Sequence, residues 1–87
     1  MKSLTTPGFW DCFNRLPKGV QDRAREKFAL WRMDQFHPSL HFKLLMDNVW
    51  SVRITRDYCA LGQRKGDVIV WFWIGTHAEY DRLTQMS

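Results

Sequence analysis

Beyond the apolar run DVIVWFWIG, Asp67–Gly75, stand His77 and, three residues on, Tyr80. An imidazole has an ordinary pKa of about 6.5, so it can take or give a proton at neutral pH. A phenol three residues away shares its face if the segment is helical. Upstream, Arg53 interrupts the apolar pattern in the middle of Val49–Thr55, where a guanidinium can hold an anion. Arg56 and Arg64 lie in turns, and Lys43 lies between Phe42 and Leu44. These types together describe proton transfer beside a bound anionic group. Each has a plainer competitor: a structural histidine, a core or capping tyrosine, or a solvated charge. His37 and His41 read as structural or surface residues, and Cys59 as a small packing residue.

Composition bounds what can position these groups. The 87 residues suffice for one small domain, expected to span 1–87. Hydrophobic residues at 45% and aromatics at 15% describe a packed globule and exclude a disordered chain. Thirteen Lys and Arg against nine Asp and Glu leave a net charge of +4, which suits an anionic partner without requiring one. The two cysteines, Cys12 and Cys59, form no CxxC and no Cys/His ligand spacing. They read as reduced thiols of a cytoplasmic protein, with no metal and no cofactor expected. No signal-peptide pattern opens the sequence, and no apolar run approaches the roughly 18 residues of a membrane span. Repeats, low-complexity tracts and long linkers are absent from the sequence.

The elements follow from spacing. Lys2–Thr6 is a candidate edge strand. Thr6-Pro7 is a helix start, with Thr6 as N-cap and Pro7 in the first turn. Phe9, Phe13 and Leu16 follow at helical spacing, and Leu16-Pro17 closes the segment. A second helix from Lys18 to Met33 carries the stripe Val20, Ala24, Phe28, Trp31. The two should form an antiparallel hairpin packed on a sheet. After His37-Pro38 breaks the helix, Leu40, Phe42 and Leu44 alternate with His41 and Lys43 as in a half-buried strand. Asp47-Asn48 is a turn, and Val49–Thr55 and Tyr58–Gln63 are strands. Arg64–Asp67 is a hairpin turn leading into the strand Asp67–Ile74. Strict alternation there sends Val68, Val70, Phe72 and Ile74 to one face and Ile69, Trp71 and Trp73 to the other. A strand apolar on both faces is central and covered twice. The tail His77–Gln85 allows a helical turn or two. The fold class is α+β, in the order β-α-α-β-β-β, with a curved antiparallel sheet against a helical hairpin and a short C-terminal tail.

That order, the LP at Leu16-Pro17, the segment HPSLHFKLL and the block WSVRITRDYCALGQRKGDVIVWFWIGTHAEYDRL together resemble the RelE/ParE toxin superfamily of bacterial toxin–antitoxin modules. The resemblance covers nearly the whole chain and implies a compact toxin neutralised by a cognate antitoxin. RelE-type members cut messenger RNA on the ribosome, at the small-subunit decoding site, whereas ParE-type members poison DNA gyrase. Carried over residue by residue, Arg53 matches a strand cation, His77 the Arg or His after the last strand's glycine, and Tyr80 the terminal tyrosine.

What the resemblance implies is a ribosome-dependent endoribonuclease in which a 2′-hydroxyl attacks the adjacent phosphate without a metal. His77, Tyr80 and Arg53 are then the catalytic candidates, and Arg56, Arg64 and Lys43 the substrate-binding ones. One position departs from the pattern: the residue after the strand tyrosine is commonly arginine, and here Cys59 follows Tyr58. A thiol makes no bidentate, charge-assisted contact to phosphate. The alternatives are therefore a ParE-like gyrase poison and a weakened toxin that mainly binds its antitoxin.

Overall fold

Local capping starts the first helix. Thr6 has an extended backbone, and its Oγ1 accepts the Phe9 N–H at 3.1 Å, while Pro7 fills the first helical position, where no N–H is needed. The computed structural model describes residues 1–85. Its elements are β1 (Lys2–Thr5), α1 (Pro7–Asn14), α2 (Lys18–Met33), a 3-10 turn (Pro38–Leu40), β2 (Lys43–Met46), β3 (Val49–Thr55), β4 (Tyr58–Lys65), β5 (Val68–Thr76) and α3 (His77–Gln85). The five strands form one sheet in the order β1-β5-β4-β3-β2. The fold is α+β, and β5 is an interior strand, as its two apolar faces require.

The sheet is mixed. β2 through β5 pair antiparallel through short turns, but β1 pairs with β5 in parallel, Lys2 opposite Val68 and Thr5 opposite Trp71. No tight turn joins β1 to β5, so nothing constrains that pair to the antiparallel direction. The segment after α2 also differs from an uninterrupted strand. Leu40 closes the 3-10 turn with none of its surface exposed, and β2 begins only at Lys43.

The alternation expected along β5 is broken by a bulge. Leu61 pairs with Trp73 and Gly62 with Trp71, which leaves Phe72 as the extra residue. Ile74 thereby joins Ile69 and Trp71 on the face that carries the helices, and all three belong to one buried cluster. Trp71 is its hub, edge-on to Phe28 at 5.1 Å and to Trp31 at 5.6 Å between ring centroids. Gly62 makes room for it: a Cβ there would lie 2.7 Å from the Trp71 ring and 2.8 Å from Ile69. Phe9 and Phe13 of α1 and Ala24 and Trp31 of α2 complete this side.

The second face of the sheet carries no helical hairpin. Strand register places Ser51, Leu61 and Trp73 in one row across it, and Arg53, Cys59 and Gly75 in the next. Trp73 is only half-buried and Phe72 is exposed, so the second covering layer expected over β5 is partial. α3 packs against β4 and β5 at the end of this face.

Candidate functional site

The C-terminal end of β5 is built to aim two side chains. Thr76 and Glu79 form a reciprocal cap. The Thr76 Oγ1 accepts the Glu79 N–H at 3.1 Å, and the Glu79 carboxylate accepts the Thr76 N–H at 3.3 Å and its hydroxyl at 3.0 Å. The helix therefore begins at His77, and its nine residues exceed the turn or two expected of a tail. The His77 N–H donates to the Asp57 carbonyl at 2.8 Å, tying this start to the β3–β4 turn. One helical turn then stacks His77 edge-on to Tyr80, with ring centroids 5.6 Å apart. Gly75 makes room for the Trp73 ring at the end of the strand: a Cβ on it would meet that ring at 2.6 Å.

These two rings look onto a depression of about 60 Å³ lined by His41, Lys43, Ser51, Val52, Arg53, Cys59, His77 and Tyr80. Four sequence candidates, Lys43, Arg53, His77 and Tyr80, thus converge on one spot. Register explains the strand members: Lys43 pairs with Ser51 and Arg53 with Cys59. Arg53 and Lys43 are exposed, so their charges are reachable, while His77 and Tyr80 are half-buried.

The other two candidates do not line it. Arg56 lies beside Asp57, whose carbonyl holds His77, and so stays at the same end of the sheet. Arg64 belongs to the opposite end, near the β4–β5 hairpin. Its Nε donates to the Gly66 carbonyl at 3.1 Å, and its guanidinium lies over the Trp50 ring at 5.3 Å. Conversely, two lining residues are ones that spacing assigns elsewhere, His41 to the surface and Cys59 to packing. The sequence does carry a signal for His41, as its alternation with Leu40 and Phe42 groups it with Lys43, although the chain reaches that placement through the 3-10 turn and a left-handed His41 rather than through a strand.

Charge and burial set the protonation of the floor. Cys59 is 3% exposed, and its thiol is pushed up to about 11, first by burial and then by the Asp81 carboxylate, with Arg53 pulling the other way. Tyr80 is raised above the ordinary 10.0 by burial, then by Cys59 and Asp81. Near neutral pH both are uncharged, and the phenol is a hydrogen-bond donor. Among the described residues no three His, Cys, Asp or Glu side chains gather as a metal site. The arrangement offers a proton-transfer group, a neutral donor and two cations around a space for one phosphate or carboxylate.

The chain has relatives among known proteins. A family model described as the ParE-like toxin domain matches residues 18–82. The chain is similar in structure to RelE in a RelB–RelE antitoxin–toxin complex from Methanococcus jannaschii, with a TM-score of 0.73 and 17% identity over 91% of this chain and 96% of that one. It is similar to a YoeB/ParE toxin from Agrobacterium tumefaciens, with a TM-score of 0.69 and 18% identity over 88% and 99% of the two chains. The isolated RelE toxin of E. coli matches with a TM-score of 0.66 and 12% identity, covering 99% of this chain and 98% of that one. At such identities the likenesses establish a shared fold. No curated protein sequence matches the chain.

Proposed function

The chain belongs to the ParE-like toxin family of the RelE/ParE superfamily, and from that premise we propose that it is the toxin of a type II toxin–antitoxin pair acting as an endoribonuclease on translated messenger RNA. The observation that carries this reading is the convergence of Lys43, Arg53, His77 and Tyr80 on one depression at the end of the open sheet face. A 2′-hydroxyl attacking its neighbouring phosphate loses a proton, builds charge on the phosphorus oxygens and expels the 5′-oxygen, which must gain a proton. His77 serves proton transfer. Arg53 and Lys43 neutralise the phosphorus oxygens. Tyr80, a neutral phenol, donates a hydrogen bond or stacks on a base. Arg56 extends the cationic track along the RNA. Reaction without a cofactor in the cytoplasm and neutralisation by a cognate antitoxin belong to the same reading. RelE from M. jannaschii is found in complex with RelB, and Trp10, Phe36, Leu44 and Phe72 are large apolar side chains left exposed for a partner to cover.

One observation favours a second reading. Cys59 puts a buried thiol where the resemblance expects an arginine, which removes a phosphate contact. A ParE-like gyrase poison, or a weakened toxin that mainly binds its antitoxin, would tolerate that loss.

Inducible expression with mapping of transcript ends separates these. The nuclease reading expects growth arrest with new 5′ ends inside translated frames, reduced about 100-fold or more in His77→Ala. Arrest with intact transcripts overturns it, and inhibited supercoiling by gyrase in the same cells establishes the second reading.

A further inference from the structure

His41 is held in place more firmly than a surface histidine needs. Its neighbours on both sides are core residues: Leu40 has no exposed surface and Phe42 is 8% exposed, stacked on Trp50 at 4.6 Å between centroids. The turn before it is pinned by side chains. His37 Nδ1 accepts the Ser39 N–H at 3.2 Å, and the Lys27 ammonium donates to the Ser39 hydroxyl at 3.3 Å. His41 itself takes left-handed backbone angles, φ 45° and ψ 43°, which only glycine adopts freely and Asn, Asp and His adopt more readily than other residues. With Leu40 and Phe42 anchored inward, that geometry turns the His41 side chain to the depression that His77 lines.

The two imidazoles come from opposite sides of the antiparallel part of the sheet. Strand order from β2 to β5 sets His41 and Lys43 at one edge, Arg53 and Cys59 in the middle, and His77 with Tyr80 beyond the other side. An in-line displacement at phosphorus needs this distribution: a base at the entering oxygen, cations at the equatorial oxygens and an acid at the leaving oxygen.

We propose that His41 is a second catalytic residue, forming with His77 an acid–base pair on either side of a phosphate held by Lys43 and Arg53. The proposal rests on the nuclease reading. One neutral imidazole takes the 2′-hydroxyl proton as the 2′-oxygen bonds to phosphorus. The bond from phosphorus to the 5′-oxygen breaks, and the other imidazolium gives that oxygen a proton. The products are a 2′,3′-cyclic phosphate and a 5′-hydroxyl, and no further reactant is consumed. Around the pair stand Lys43 from β2, Arg53 from β3, Cys59 from β4, and Tyr80 with Asp81 from α3.

The test is single-turnover cleavage of a ribosome-bound message across pH by the full chain, His41→Asn and His77→Asn. Asparagine accepts the left-handed backbone, so His41→Asn removes the imidazole and keeps the turn. The wild type is expected to show a two-limbed profile. Each variant is expected to lose 10²- to 10⁴-fold in rate, and each to lose a different limb, because one group must be deprotonated and the other protonated. His41→Gly, equally free to adopt the turn, is expected to regain activity with added imidazole and serves if His41→Asn does not fold. An active wild type whose His41→Asn variant keeps both limbs and its rate within threefold overturns the pair alone. So does loss of the same limb in both variants, or a folded His41→Gly that imidazole does not rescue. A wild type that leaves ribosome-bound RNA intact overturns the nuclease reading itself, and the pair with it.

Discussion

Cys59 lies between two groups that pull its proton in opposite directions, Asp81 holding it on and Arg53 drawing it off, but burial outweighs both. A thiol pushed up to about 11 is ionised in about one molecule in ten thousand at pH 7, so it is neither a nucleophile nor an anion there. Two consequences can be measured. Iodoacetamide at neutral pH is expected to label the half-buried Cys12 first and Cys59 only on unfolding. Folding also favours the protonated thiol. Its contribution to stability is therefore complete below the ordinary value of 9.0 and is lost as pH rises toward about 11. Urea unfolding of wild type and Cys59→Ser should run in parallel below pH 9. Above it the wild type should lose on the order of 2 kcal/mol relative to the variant. Parallel curves throughout would mean that the thiol is solvated.

At the scale of elements, α3 matters more than its length indicates, because its first turn carries both rings of the site. The THAE run, Thr76–Glu79, spells the reciprocal cap that starts the helix at His77. Thr76→Ala removes the oxygen that accepts the Glu79 N–H and is expected to cost about 1 kcal/mol in thermal or urea unfolding. Cleavage should fall further than global stability does, since fraying disperses His77 and Tyr80 while the core stays intact. Equal loss in both would show that the cap acts only on the fold. Much of this architecture is legible in the chain. Thr6-Pro7, Leu16-Pro17 and the alternation through Val49–Thr55 depend on local chemistry, and they stand where spacing puts them. The bulge at Phe72 is not, because it arises from a distant fit: Trp71 needs the gap at Gly62, and Ile74 then slips back onto the core face. The parallel β1–β5 pair is equally hidden, as no turn encodes it. Among candidate side chains, strand period brings Arg53 and Lys43 together, whereas Arg64 is separated from them by the length of β4.

For the whole molecule, the sheet divides labour between its faces. The aromatic core occupies the helix side, and Lys43, Arg53, His77 and Tyr80 stand on the open side, outside that cluster. Substituting them should therefore leave the folded state largely intact, so that any effect on the proposed RNA cleavage can be read separately from stability. The cations behind the net charge of +4 are unevenly placed with respect to the site. Lys43, Arg53 and Arg56 sit at its end of the sheet, and Arg64 sits at the far end. On the proposed nuclease reading these three cations each meet one phosphate, so affinity for single-stranded RNA is expected to fall with salt at a log–log slope of about −2, since each contact contributes about −0.7. Fluorescence anisotropy with His77→Gln, expected on that reading to bind without cutting, gives the slope directly. In that background Arg53→Ala should flatten it by about 0.7, and Arg64→Ala should leave it unchanged. Equal flattening by both would mean that the whole basic surface holds RNA by diffuse charge. Flattening by Arg53→Ala alone would place the phosphates at the strand ends, where the imidazoles can reach them.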